Sequence, residues 1–284
     1  ELGDRRAAEH LAWRLGQDTL TLYADVPELR RDDSERVASA RYLADLVWLS
    51  PSDEALAKLA EKAVSGWLGG QPQPHANGMR VLGLVATPYA QERLRKWGDP
   101  AEPLPKIGGM PPLPMAFATA QSALRYYGAA SKRAGKVDEA AKVLHKQLHR
   151  RPKDADLTMN ALVAGGSALL GMSARSLAIG AAHGMAETGD PRFHDDLLAF
   201  VQDPKENEQA RFEACGALAI VATDTQLALL VPKVAPPSGP TAPTDVVRGC
   251  LLETLSRRRI GAAGVYLAHL LENPPNLETA DMVA

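Results

Sequence analysis

Three clusters of side chains have the types and spacing to do chemistry. His183 and Glu187 sit four apart, on one face of a helical pattern, with Asp190 and His194 just beyond. Imidazole and carboxylate together could ligate a metal ion. The spacing matches no typical site, so the expected reading is a helix end and its turn, with no metal and no cofactor. His194-Asp195-Asp196 reads as the acidic start of the next helix, which the macrodipole favours. The second cluster is a basic strip: Lys132, Arg133, Lys136, Lys142, Lys146, Arg150, Arg151 and Lys153, opposed by Asp138 and Glu139. Lys142, Lys146 and Arg150 step by four along one helix face, with His145 and His149 adjacent. This strip, from Lys132 to Arg150 with both histidines, is the candidate partner-binding surface. It suits an acidic peptide, a phosphate group or nucleic acid. Its plainer alternative is the solvated face of an amphipathic helix whose Ala140, Ala141, Val143, Leu144 and Leu148 turn inward. The third cluster, Arg257-Arg258-Arg259, ends a helix where cations suit the dipole.

Catalytic patterns are missing elsewhere. No Gly-rich run ends in Gly-Lys-Ser/Thr, and no Gly-x-Ser-x-Gly elbow occurs. Gly165-Gly166 with Gly171 lies in an apolar Ala/Leu stretch and reads as close helix packing. The expectation is that the chain is not an enzyme.

The elements that position these residues are helices. Of 284 residues, 45% are apolar and only 5% aromatic, with Ala and Leu prominent. Both residues favour helix, whereas a sheet would want more β-branched and aromatic side chains. The net charge of −2 exerts no general pull on nucleic acid or anionic membrane. No apolar run is long enough to span a bilayer. The chain starts at Glu1, so it reads as a mature or excised segment. A cytoplasmic location is favoured, with export left open. Two cysteines, Cys215 and Cys250, exclude a disulfide framework and read as small buried hydrophobes.

Val37, Ala40, Leu43, Ala44 and Val47 recur at helical steps. Ser50-Pro51-Ser52-Asp53 follows as a helix start, and Leu56, Leu59, Ala60, Ala63, Val64, Trp67 and Leu68 share the next helix face. Such αα-hairpins recur. Arg5, Arg41, Arg80, Arg175, Arg211 and Arg248 each head a stretch of small and apolar residues. Their intervals are 36, 39, a long gap, 36 and 37. That period is the mark of stacked helical pairs.

These units resemble HEAT repeats. Asp203-Pro204 leads through a turn to Arg211, Ala214, Ala217 and Leu218, as the family pattern of Asp-Pro, arginine and a small-residue helix does. The resemblance implies that the six arginines are structural, pinning successive units, with Arg211 meeting carboxylates of a neighbour. The window Gln121 to Asp154 resembles a tetratricopeptide repeat through Leu124, Gly128, Gly135, Ala140, Leu144 and Pro152. There Gly128 would let the two helices of the hairpin pack closely. Ser131 and Gln147 depart from that pattern.

The expected fold is an all-α, right-handed αα-superhelix (an α-solenoid) of roughly six or seven hairpins in a single domain. HEAT-like hairpins would occupy 1–97, a Pro/Gly-rich loop 98–115, a tetratricopeptide-like and a following hairpin 116–172, and further HEAT-like hairpins 173–284. A second Pro-rich stretch, 235–243, joins the last hairpins. The array is expected to continue or to dock on another domain. The resemblance implies a non-catalytic scaffold that binds a protein or peptide on its concave face. The alternative is a HEAT-like enzyme of the lyase or DNA glycosylase type, or a nucleic-acid-binding module. Deoxyhypusine hydroxylase, a HEAT-like enzyme, holds iron with His-Glu dipeptides, and none of the seven histidines here precedes Glu.

Overall fold

The computed structural model describes residues 5–16, 34–69, 74–99, 113–150 and 167–229, with 250, 254, 255 and 258. Eleven α-helices lie among them: α1 Arg5–Gly16, α2 Ser34–Leu49, α3 Glu54–Gly69, α4 Ala76–Val85, α5 Pro88–Trp97, α6 Leu113–Arg133, α7 Val137–Leu148, α8 Ser167–Thr188, α9 His194–Gln202, α10 Glu208–Val221 and α11 Asp224–Ala228. No strand occurs among the described residues. The chain is all-α and compatible with a helical repeat fold.

Short polar residues start several of these helices by accepting backbone N–H bonds that the first turn leaves open. The Asp53 carboxylate accepts from Leu56 N at 2.9 Å and starts α3. The start falls at Asp53 rather than Ser50, and Pro51 lies in the turn. Thr87 accepts from Ala90 N with Pro88 at the first position of α5, and Asn207 accepts from Ala210 N to begin α10. Thr223 and Gln226 form a reciprocal capping box on α11. Helix α6 begins at Leu113, inside the stretch read as a loop over 98–115. Pro114 falls in its first turn, where the missing N–H is unused anyway. Residues 100–112 of that stretch lie outside the described ones, as do 235–243, Gly165-Gly166, Pro152 and Arg248.

Packing follows a ladder. Each helix from α2 to α7 packs on the next described helix, and α2, α4, α6, α8 and α10 also pack one on the next. The paired residues give the direction of this row. Asn77 Nδ2 on α4 donates to Val37 O on α2 (3.3 Å), and Arg80 reaches Asp45 (3.0 Å) further along both. From α8 to α10, Arg175 meets Glu206 and His183 meets Glu213. Both sequences climb together, so these helices run parallel.

The α6–α8 contact is the closest. A Cβ on Gly128 would lie 2.1 Å from Gly184 O, and one on Gly180 would lie 2.6 Å from Gln121 Cα. Three glycines thus let two backbones touch. Gly128 therefore serves contact with α8 of the following hairpin, not with α7 of its own. The core is continuous and rich in alanine: Ala40, Ala44, Ala123, Ala181 and Ala214 are fully buried between Leu43, Leu82, Leu124, Leu144 and Leu197. Each buried leucine contributes about 1.5–3 kcal/mol, and alanine keeps the interhelical gap narrow.

Candidate functional site

The basic strip lies along the end of α6, the turn at Gly135 (φ +67°) and α7. Helix periodicity turns Ala140, Leu144 and Leu148 into the core, as expected, and the cations outward. Ser131 and Gln147, the two departures from the tetratricopeptide pattern, are buried with them. The strip divides into two halves of different character.

Its later half is tied to neighbouring units. Asp99, just past α5, receives Arg150 Nη1 at 3.2 Å and lies 3.8 Å from Lys146 Nζ. Asp196, in the first turn of α9, faces both histidines: His145 Nδ1 at 2.6 Å and His149 Nε2 at 3.8 Å. These two aspartates come from elements distant in the chain, and nothing in the strip's own spacing points to them. Arg151 and Lys153 lie outside the described residues.

The earlier half faces solvent. Lys132, Lys136 and Lys142 are exposed, and none forms an ion pair with another described residue. Arg133 is exposed too, while its Nη1 donates to the Leu84 carbonyl of α4 at 3.1 Å. Asp138 at the start of α7 is occupied by Arg192 at 2.7 Å. Arg192 also clamps Asp190, whose carboxylate accepts from the Arg192 backbone N at 2.9 Å and caps the 3-10 turn Pro191–Phe193. Those Arg192 hydrogen bonds hold the Asp190 carboxyl below its ordinary value. Behind the strip, burial raises the Tyr127 phenol.

The cluster read from His183 to His194 is dispersed. His183 Nε2 faces Glu213 Oε2 (3.0 Å), Glu187 takes Arg125 Nε (2.8 Å), Asp190 takes Arg192, and His194 Nδ1 faces Asp195 Oδ1 (2.8 Å). Four groups with four different partners do not converge. Asp195 and Asp196 do open α9.

The repeated arginines fall on α1, α2, α4, α8 and α10, and they divide by partner. Arg80 bridges to Asp45 of the preceding unit. Arg175 pairs with Glu206 of the following one, the two side chains 12% and 5% exposed, and its Nη1 donates to Arg150 O at 3.3 Å. Arg211 Nε donates to the Val201 carbonyl at 2.8 Å, closing the end of α9, the helix that precedes its own. Arg5 meets Glu9 one turn away at 3.3 Å, and Arg41 is exposed with no ion pair to a described residue. Arg258, of the triple-arginine stretch, donates to Ala219 O and pairs with Asp224 at 2.6 Å. Its charge thus serves the C-terminal end of α10, a neighbour's dipole.

The cysteines differ from the expectation. Cys215 on α10 and Cys250 form a disulfide, Cα–Cα 6.4 Å, across a separation of 35 residues. Both are buried, as small hydrophobes would be, but they are bonded. A usable signal was present in the sequence: the separation of 35 residues is close to the intervals of 36 and 37 between the later arginines.

No family model, no curated protein sequence and no solved structure matches the chain.

Proposed function

We propose that the chain is a HEAT-like α-solenoid acting as a non-catalytic scaffold, which holds a protein or peptide on a concave face lined by the second helices of its hairpins. The observation that carries this reading is the unbroken row α2, α4, α6, α8, α10, each member packed on the next. Stacks of this kind grow in one direction and leave a long surface open. The exposed cations Lys132, Lys136 and Lys142 suit an acidic segment of the partner. The ion pairs of Lys146 and Arg150 with Asp99 favour an architectural role for those two residues.

The test uses the full chain as bait in extract of its native host, with cross-linking before mass spectrometry. Cross-links from Lys132, Lys136 or Lys142 to one acidic partner, lost in K132E/K136E/K142E, support the proposal. Capture unchanged by that triple reversal removes the strip from it. Affinity for random-sequence DNA that falls steeply with salt would favour the nucleic-acid reading instead.

The bridge between Cys215 and Cys250 bears on location. Disulfides persist in oxidising compartments and are rare in reducing cytosol. It supports placing the protein in such a compartment, in place of the favoured cytoplasmic one. Thiol trapping in intact host cells tests this: the pair resists alkylation until reductant is added, whereas two free thiols would contradict the placement.

A further inference from the structure

Two histidines and one aspartate converge where α7 meets α9. His145 and His149 are one helical turn apart, so both rings emerge on the same side, their centroids 4.8 Å apart. Asp196 stands opposite with one carboxylate oxygen toward each ring. One ligand atom from each of the three residues can be chosen so that all lie within 4.8 Å of one another. A histidine–aspartate hydrogen bond needs only one ring. Here the second ring is aimed at the other oxygen of the same carboxylate.

We propose that His145, His149 and Asp196 bind one zinc ion. Two neutral imidazoles and a carboxylate form a nitrogen–oxygen set that zinc accepts in tetrahedral geometry, at about 2.0–2.2 Å from each ligand atom. Such distances place ligand atoms about 3.3–3.6 Å apart around the ion. The 2.6 Å approach must open, and a separation of 4.8 Å must close by about 1.2–1.5 Å. The side chains can make this adjustment, because they are 57%, 42% and 33% exposed. The fourth position faces solvent and takes water. The cations beside the site are directed elsewhere, Lys146 and Arg150 toward Asp99. Phe200, one turn further along α9, presents an edge contact to the His149 ring at 6.4 Å and closes the inner wall.

The site also has a consequence for the stack. Helices α7 and α9 belong to successive hairpins, and the row of first helices already fixes their neighbours. A metal bridging α7 and α9 would fix the spacing on the other side as well, and with it the local curvature of the surface that carries the strip.

The experiment titrates zinc alone into the full-length chain by calorimetry and repeats it for H149A, D196N and H183A. Cobalt serves as a spectroscopic probe. The expected result is one zinc per chain at micromolar affinity, with cobalt giving the intense visible absorption of a tetrahedral site. H149A and D196N should each weaken binding by at least about tenfold, with zinc-free far-UV spectra unchanged. H183A, whose imidazole faces Glu213, should bind as the parent does. Zinc affinity no better than millimolar overturns the proposal. So does binding retained in H149A/D196N, or lost equally in H183A.

Discussion

Single residues in this protein act mostly by letting backbones approach or by pairing across units, and two chemically similar changes should have opposite signs. Gly128→Ala would place a methyl 2.1 Å from the Gly184 carbonyl and force α6 from α8. A loss of at least about 2 kcal/mol is expected. At Gly216, on the exposed side of α10, an added methyl meets nothing within 4 Å. Gly216→Ala should therefore gain about 0.5–1 kcal/mol from helix propensity. Urea midpoints of the two variants decide the point. Arg175→Ala removes one partner of a nearly buried carboxylate and should cost about 1–3 kcal/mol. Arg41→Ala, at an exposed position with no ion pair among the described residues, should stay within about 0.5 kcal/mol of the parent. Five of the six arginines of the period lie on described helices, but the period did not say which arginine carries a bond. That depends on acids such as Asp45 and Glu206, whose positions relative to the arginine vary from unit to unit.

At the scale of elements, the junction between α7, the 3-10 turn and α9 is held by charge, so it should respond to acid. Asp190 caps the turn and accepts from Arg192, which lowers its folded-state pKa. For a depressed carboxyl the stabilisation is present above the unfolded value, near 3.8, and is lost as pH falls through the lower folded value. The melting temperature of the parent should accordingly fall below about pH 4, and Asp190→Asn should flatten that part of the profile. An unchanged slope would assign acid sensitivity to other carboxylates. Helix starts and faces were legible at this scale because capping and periodicity are local: the inward face of α7 and the acidic start of α9 follow from their own residues. The partners of His145, His149 and Arg150 were not, because Asp99 and Asp196 are brought there by packing between hairpins. For the same reason Gly128 could be recognised as a close-packing residue, while its actual partner, Gly184 on α8, could not.

For the molecule as a whole, the disulfide ties Cys215 of α10 to Cys250. A closed loop of this length stabilises by about 3–4 kcal/mol in the chain-entropy account. Reduction with dithiothreitol should lower the melting temperature of the parent and leave Cys215→Ala/Cys250→Ala unmoved. The proposed solenoid requires α2, α4, α6, α8 and α10 to form an open row rather than a closed bundle. Adjacent packed helices lie about 8–10 Å apart, so four steps set α2 and α10 roughly 32–40 Å apart. Tyr42 on α2 and Phe212 on α10 are both exposed and accept spin labels through a keto-bearing residue, leaving the disulfide intact. Pulsed dipolar spectroscopy between these two positions is the most direct test. An open row predicts a distribution centred beyond about 30 Å, whereas a centre under about 20 Å, two helix spacings, would mean that the helices gather round one closed core.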